Sequence, residues 1–358
     1  MVVDLTKSQS DAVDRALDSL KKRNKLFRIG GYAGTGKTTL AKSILQEMPA
    51  AGVCAFTGKA SSVLRSKGLT QASTIHSRIY KYDEKQEKFV LKSRREMQDI
   101  EYFLLDEASM VNREQWENMR SFGKPIIAIG DPGQLEPIGD DPKLMHDPDI
   151  TLTEIHRQGE HSTIIQFATH IRMGKQIRKG TKGDVTIGGQ DLFWDSLGWA
   201  DVLLCGFNRT RVSTNAAMRK KLFGEDAART TLIEGEKIVC LQNNNPLGFN
   251  NGEIYTVSEI YDVNDDHILC DLVSSDGDAK YAVTVLTEAF GVANPDKRFW
   301  RAKDAIYADY GYCLSVHKFQ GSEADKVAVI SQQCDMWCPI RHNYTAATRA
   351  AKELRFSI

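Results

Sequence analysis

Lys37, Thr38, Asp106 and Glu107 are the residues whose types and spacing could do chemistry together. The first two close the stretch "GYAGTGKT", Gly31 to Thr38, which fits the phosphate-loop pattern G-x-x-x-x-G-K-[ST] without a mismatch. Such a loop turns consecutive backbone N–H groups of Gly31, Ala33, Gly34, Thr35 and Gly36 toward phosphates, and the helix that follows aims its positive end at them. Lys37 then reaches the terminal phosphates, the Thr38 hydroxyl holds a magnesium ion, and Thr39 continues the first helical turn. In "YFLLDEASM" two acids end an apolar run. Asp106 is placed to hold the metal through water, and Glu107 to take the proton of an attacking water. An isolated acid pair is common, but downstream of a phosphate loop it suits hydrolysis better than a switch or a simple kinase. "GDPGQLEPIGD" adds Gln134, placed for the γ-phosphate or the water, in a loop stiffened by Pro132 and Pro137.

These residues require elements to position them. "SQSDAVDRALDSLKKRN" carries Ala12, Val13, Ala16, Leu17 and Leu20 at helical spacing. "LFRIGG" reads as a strand feeding the loop and "KTTLAKSILQEM" as the helix after it. "GVCAF", "YFLLDE" and "KPIIAIGD" read as further strands. Short apolar strands separated by helices imply a parallel sheet covered on both faces, an α/β domain over residues 1–155. A second α/β set comprises "DVLLCGFN", the helix "RTRVSTNAAMRKKLF", the strand "KVAVIS", the helix "NYTAATRAAKEL" and a last strand "RFSI", over 156–230 and 308–358. Between them, "EKIVCLQ", "EIYTVSEIYD", "HILCDLVSS" and "KYAVTVLTE" are β-rich runs divided by turn-forming residues, which suggests a small barrel over 231–307.

The composition, 41% hydrophobic and 26% charged, is that of a soluble globular chain. No run approaches a membrane span, and the N-terminus lacks a signal peptide's pattern, so the chain reads as cytosolic. The formal net charge is zero, yet "KKRNKLFR", "KFVLKSRR" and "RMGKQIRK" are basic and "DVNDDHILCDLVSSDGD" is acidic. Such patches permit a polyanion groove without establishing one. Cys334, Cys338 and His342 in "CDMWCPIRH" have the spacing of partial zinc ligands but no fourth ligand, so buried thiols are the reading for the seven scattered cysteines.

Taken in order, the segments resemble the motif set of superfamily 1 helicases, in particular the RecD/Dda-like branch. "LTKSQSDAV" with Gln9 is similar to the adenine-reading Q motif and "GYAGTGKT" to motif I. "FTGKAS" and "STIHS" resemble motifs Ia and Ib, "LLDEASM" motif II and "GDPGQLEPI" motif III. "LTEIHRQ" resembles motif IV, "SVHKFQGSEADKV" motif V and "YTAATRA" motif VI. The matches run from residue 5 to 354 in the family's order, and the β-rich insert with "GFNNGE" resembles the branch's SH3-like insert.

The resemblance implies two RecA-like P-loop domains, a small β-hairpin insert in the first and an SH3-like β-barrel insert in the second. It implies an ATP- and Mg²⁺-dependent DNA helicase moving 5′ to 3′ on single-stranded DNA. Arg157 and Arg349 would be arginine fingers, Glu323 would accept a bond from the ribose, and Thr57, Thr74, His76, His317 and Lys318 would line the strand groove. Bottom-up, these side chains suit phosphate contacts that carry no sequence information, though a histidine such as His76 is more often simply a satisfied polar residue. "RIYKYDEKQEKFVLKSRR", residues 78–95, sits where the family places its strand-separating hairpin. Phe89 there either stacks on a base at the fork or packs the hairpin against its own domain.

Single-stranded and forked duplex DNA are the implied partners, with replication or recombination proteins as further candidates. A monomer in the cytoplasm of a bacterial cell or phage-infected host is expected. No extra N-terminal domain of the partner-bound RecD kind is expected ahead of the first motif, and the barrel lacks the long helical excursion of larger Dda-type proteins. Competing readings are a translocase that does not open duplex, a nucleotide-gated binding module, and RNA as the strand.

Overall fold

The computed structural model describes residues 5–83, 85, 88–155, 162–244, 246–274, 277–296 and 302–358, and of Asp226 the backbone alone. The chain divides into two compact units, Met1–Ile165 and Gln166–Ile358.

In the first unit, strands β1 (Leu26–Gly31), β2 (Ala51–Ala55), β3 (Ser73–Thr74), β6 (Tyr102–Leu105), β7 (Ile126–Gly130) and β8 (Ile150–Leu152) form one sheet in the order β3-β2-β6-β7-β1-β8. Every pairing in it is parallel. Alternate residues of each strand face opposite layers. Ile29, Val53, Leu104 and Ile129 join the helices Lys7–Lys21, Lys37–Glu47 and Gly58–Ser66 in one core. Cys54, Phe103, Leu105, Ile126 and Ala128 pack on the other side with Trp116 and Met119 of the helix Arg113–Arg120. Strands buried on both faces explain why β2, β6 and β7 read as unbroken apolar runs rather than alternating ones. The hairpin strands β4 (Tyr80–Asp83) and β5 (Lys88–Leu91) lie outside this sheet as an antiparallel pair.

The second unit has its own sheet, built from β9 (Gly180–Lys182), β10 (Val185–Gly188), β11 (Val202–Cys205), β17 (Cys313–Ser315), β18 (Ala324–Ile330) and β19 (Ala350–Ser357). The order is β17-β11-β18-β19-β10-β9, parallel except for the edge strand β9. Between the helix Asn208–Phe223 and β17 stands a closed barrel of β12 (Lys237–Cys240), β13 (Ile254–Val263), β14 (His267–Ser274), β15 (Ala279–Leu286) and β16 (Ala305–Tyr310). Its interior holds Val257, Ile268, Cys270, Leu272, Val285 and Ile306. Two buried ion pairs tie the barrel to the helix Asn208–Phe223: Arg211 with Asp309, and Arg219 with Glu236. The Arg219 guanidinium also lies 4.2 Å from the centre of the Tyr310 ring.

Two sequence readings are corrected here. The helix expected over "NYTAATRAAKEL" ends at Ala347, and "AAKELRFS" is strand β19, because that segment is held between β18 and β10 and pairing on both sides outweighs its helical propensity. The cysteines at 334 and 338 are not buried thiols, whereas the other five are buried. No group of His, Cys, Asp or Glu placed to hold a metal occurs among the described residues, so the partial zinc spacing has no site behind it.

Candidate phosphate site and strand-contact residues

The phosphate loop leaves the carboxyl end of β1, the position where parallel sheets collect ligands. Gly34 and Gly36 sit at φ +80° and +79°, the left-handed region, and Gly36 begins the helix Lys37–Glu47 without any side-chain cap. The first N–H groups of that helix therefore await an acceptor from outside, the condition that makes a helix start an anion site. A Cβ on Gly31 would stand 2.8 Å from the Thr35 hydroxyl and 3.0 Å from Lys37 Cγ, so only glycine lets the loop close this tightly. Lys37 Nζ donates to the carbonyls of Gly31, at 2.8 Å, and Tyr32, at 3.3 Å, which folds the ammonium over the loop. Thr35 is buried and its hydroxyl donates to the Tyr32 carbonyl, Ala33 lies at the turn, and Thr38 and Thr39 are partly exposed in the first helical turn.

Gln9 braces this loop from the first helix. Its Nε2 donates 2.9 Å to the Thr35 carbonyl, and its Oε1 accepts from Thr6 N in a reciprocal cap at the helix start. Thr6, the partner in that cap, was not singled out from sequence, although the T-x-x-Q spacing carries the signal.

Asp106 and Glu107 follow β6, and Gln134 follows β7, the strand lying between β6 and β1. Burial pushes the Asp106 carboxyl up to about 6, Glu107 beside it adds to the rise, and Lys37 opposes it. A carboxylate so disfavoured gains from a bound cation. Glu107 takes the left-handed conformation at φ 52°, costly for a residue with a side chain, and its Oε2 is buried with no hydrogen-bond partner. Gln134 is buried in the turn that Asp131 closes by accepting from Gly133 N at 2.8 Å. The donors of the loop, a cation-seeking carboxyl and an unsatisfied base thus fit a triphosphate with its metal.

Thr57 and Thr74 each start a helix, their hydroxyls accepting from Ala60 N at 3.0 Å and Ser77 N at 3.1 Å. His76 lies between Tyr80 and Phe89, with ring centroids 4.8 and 4.5 Å away, and burial lowers its pKa. Phe89 is 48% exposed and edge-on to Tyr82, its registered partner across the hairpin. The ring packs on His76 and still presents half its surface to water. Tyr82, a second exposed aromatic, was missed because cross-strand register decides its position.

In the second unit Lys318 N donates to the Ser315 hydroxyl, and burial lowers the pKa of His317. Glu323 is exposed before β18. Arg349 is buried, its guanidinium donating to the carbonyls of Thr345 and Ser322 and to the Thr348 hydroxyl, with no carboxylate in ion-pair range among the described residues. Arg157 lies outside the described residues.

Comparison with known proteins gives two family matches. Residues 4–186, more than half the chain, match the AAA domain, and residues 310–357 match the UvrD-like helicase C-terminal domain. The chain belongs to the superfamily 1 helicases of the Dda and RecD type. A probable conjugal transfer protein TraA of Sinorhizobium fredii is 25% identical across 96% of this chain, which spans only 32% of that relative. The ATP-dependent DNA helicase dda of Enterobacteria phage T4 is 28% identical over 72% of this chain and 68% of its own. A Bacteroides Pif1 helicase, solved with ADP-AlF3 and single-stranded DNA, shares the fold at a TM-score of 0.62 and 17% identity, covering 100% of this chain and 93% of its own. No helix among the described residues is long and apolar enough to cross a membrane.

Proposed function

We propose that this protein is an ATP-dependent DNA helicase that moves 5′ to 3′ along single-stranded DNA and opens duplex at a fork. The observation that carries the reading is Glu107: a strained residue whose carboxylate has one buried, unpartnered oxygen, beside the cation-seeking Asp106 and the uncapped helix at Lys37. A site that only held nucleotide would have no use for such a base. In this reading Lys37 and the loop amides hold the phosphates, and Thr38 and Asp106 hold magnesium, which supplies charge neutralisation there. Glu107 takes the proton of the attacking water, and Gln134 orients that water.

Arg349 supplies positive charge to the transferring phosphoryl group. A buried guanidinium satisfied only by neutral oxygens retains the charge that role needs. Arg157 is assigned as a second finger, Gln9 as the adenine contact and Glu323 as the ribose contact, on family resemblance. We assign the β4–β5 hairpin as the strand separator with Phe89 at its face, the closed barrel as SH3-like, and the domains as bounded at 1–155, 156–230 with 308–358, and 231–307. Thr57, Thr74, His76, His317 and Lys318 are taken as backbone contacts along the strand. The dda relative is named a DNA helicase, and the Pif1 neighbour was solved on single-stranded DNA, which supports DNA as the polymer.

The experiment is unwinding of two partial duplexes, one with a 5′ tail and one with a 3′ tail, under ATP and magnesium. Opening of the 5′-tailed substrate alone is expected. Strand-stimulated hydrolysis without opening of either would leave a translocase, and hydrolysis indifferent to DNA would refute the motor.

A further inference from the structure

At the carboxyl ends of β11, β17 and β18 the second unit gathers a cluster of four rings, of which only His317 has been given a role above. Trp337 stacks on His342 at 4.9 Å and 17° between planes. Phe207 approaches Trp337 at 5.3 Å, and His317 lies 6.0 Å from Trp337 and 6.1 Å from His342. His342 is fully buried, yet neither of its ring nitrogens has a hydrogen-bond partner, and Trp337 Nε1 is likewise buried without one. Three orphaned polar atoms in one cluster are unusual, since a buried polar group left without a partner loses its hydration and gains nothing in return. Burial pushes the His342 pKa down to about 4, His317 nearby lowers it further, and the neighbouring Asn343 side chain, too poorly placed for a full hydrogen bond, raises it. The ring is therefore neutral at pH 7, with one nitrogen donating and one accepting.

The cover over His342 is thin. Trp337 lies in the irregular segment between β18 and the helix Pro339–Ala347, next to Met336, which is 80% exposed. The indole seats against bare backbone: a Cβ on Gly206 would stand 2.7 Å from its Cζ2. The exposed Arg209 lies over Phe207 at 5.1 Å, which adds a cation beside the rings.

We infer that Trp337 is a lid over a site for one nucleobase of the single strand, formed by Phe207, His317, Trp337 and His342. When the indole of Trp337 shifts off His342, the base stacks on the indole and its edge meets the ring nitrogens of His342. A phosphate offers only acceptors and cannot satisfy both the donating and the accepting nitrogen of a neutral imidazole, whereas a base edge offers donors and acceptors together. The inference rests on the reading of this chain as a single-strand motor.

The test compares binding of dT20 with binding of an abasic oligonucleotide of the same length, for wild type, Trp337→Ala, Trp337→Phe and Gly206→Ala. Wild type is expected to prefer dT20, and Trp337→Ala to lose about five- to a hundred-fold in dT20 affinity, the range for one stacked base. Its abasic affinity should stay unchanged. Gly206→Ala, which unseats the indole, should bind dT20 at least as tightly and shift the tryptophan emission to the red before any DNA is added. Trp337→Phe keeps a ring and should retain most of the preference.

A folded Trp337→Ala whose preference for bases equals wild type overturns the inference, as does a wild type with no such preference. Should Trp337→Ala fail to fold, Gly206→Ala decides alone: lost stability with unchanged emission and base preference means a purely structural cluster. ATP added without oligonucleotide is the remaining arm, and a quench of Trp337 equal to that by dT20 would assign the site to the nucleotide's adenine and overturn the strand assignment. DNA-stimulated hydrolysis measured alongside separates the two readings. If it is present while base preference is absent, this inference fails and the motor stands; if it is absent, the motor reading falls and this one with it.

Discussion

Replacing Asp106 with asparagine should make the protein more stable while removing its chemistry. The carboxyl titrates at 3.8 in an unfolded chain and at about 6 in the fold, raised first by burial and then by Glu107. That difference corresponds to about 3 kcal/mol of cost for holding the ionised form in place. Asp106 keeps part of its surface in water, so screening brings the expected figure to about 1–3 kcal/mol.

The sign follows from proton binding. Between the two values the folded state holds a proton that the unfolded state has lost, so stability contributed by Asp106 falls as pH rises through this window. The cost is absent below pH 3.8 and complete above about 6. Asp106→Asn mimics the protonated form. It should melt higher than wild type at pH 8, by about 2–4 °C per kcal/mol for a domain of this size, and the advantage should shrink toward pH 4.5. Differential scanning calorimetry without nucleotide or metal measures it, and an ATPase assay on the same preparation should show hydrolysis lost. A variant that melts at or below the wild-type temperature across the whole range would show that Asp106 is not held against its ionised state.

Lys37→Ala should lose both nucleotide affinity and hydrolysis, whereas Glu107→Gln should still bind ATP and fail only to turn it over; equal loss of binding in both, by equilibrium titration, defeats that division of roles. Arg349→Ala should bind ATP and DNA nearly as wild type with hydrolysis down by about 10³–10⁵, and lysine should rescue poorly because it lacks the planar fork of donors. Turnover within a few-fold of wild type in the steady-state assay would remove Arg349 from the reaction. Phe89→Ala should keep DNA-stimulated hydrolysis while duplex opening falls, and its half-exposed ring should make the stability loss smaller than the ~3–5 kcal/mol of a buried phenylalanine. A variant as stable as wild type that opens duplex normally takes Phe89 out of the mechanism.

How much of this was legible in the sequence depended on distance along the chain. The phosphate loop is local chemistry: strand, glycines, lysine and helix are contiguous, so eight residues state the whole device. Asp106 was legible as an acid at a strand end, but its raised pKa was not, because the burial that chiefly raises it comes from packing. Strand β19 was misread since Ala350 to Leu354 prefer a helix in isolation, and only pairing with β18 and β10 makes them extended. The closing barrel strand β16 escaped the list of β-rich runs; its residues are buried throughout and show no alternation. Trp337 and His342 are five residues apart, but His317 and Phe207 reach them from 20 and 130 residues away, and nothing in their local sequence announces the meeting.

The two ion pairs at the root of the barrel fix what can be exchanged in this molecule. Arg211 and Arg219 leave the same helix and clamp the barrel at the entrance to its first strand and along its last, with both carboxylates out of water. Removing one partner would strand a buried charge at a cost of about 3–5 kcal/mol, so the mount cannot be loosened piecemeal. The barrel is thus bolted equipment on the second unit and travels with it as one piece. A graft that replaced strands β13 to β15 but kept Glu236 and Asp309 would inherit the mounting intact, whereas one that changed either acid would need a redesigned helix beneath it.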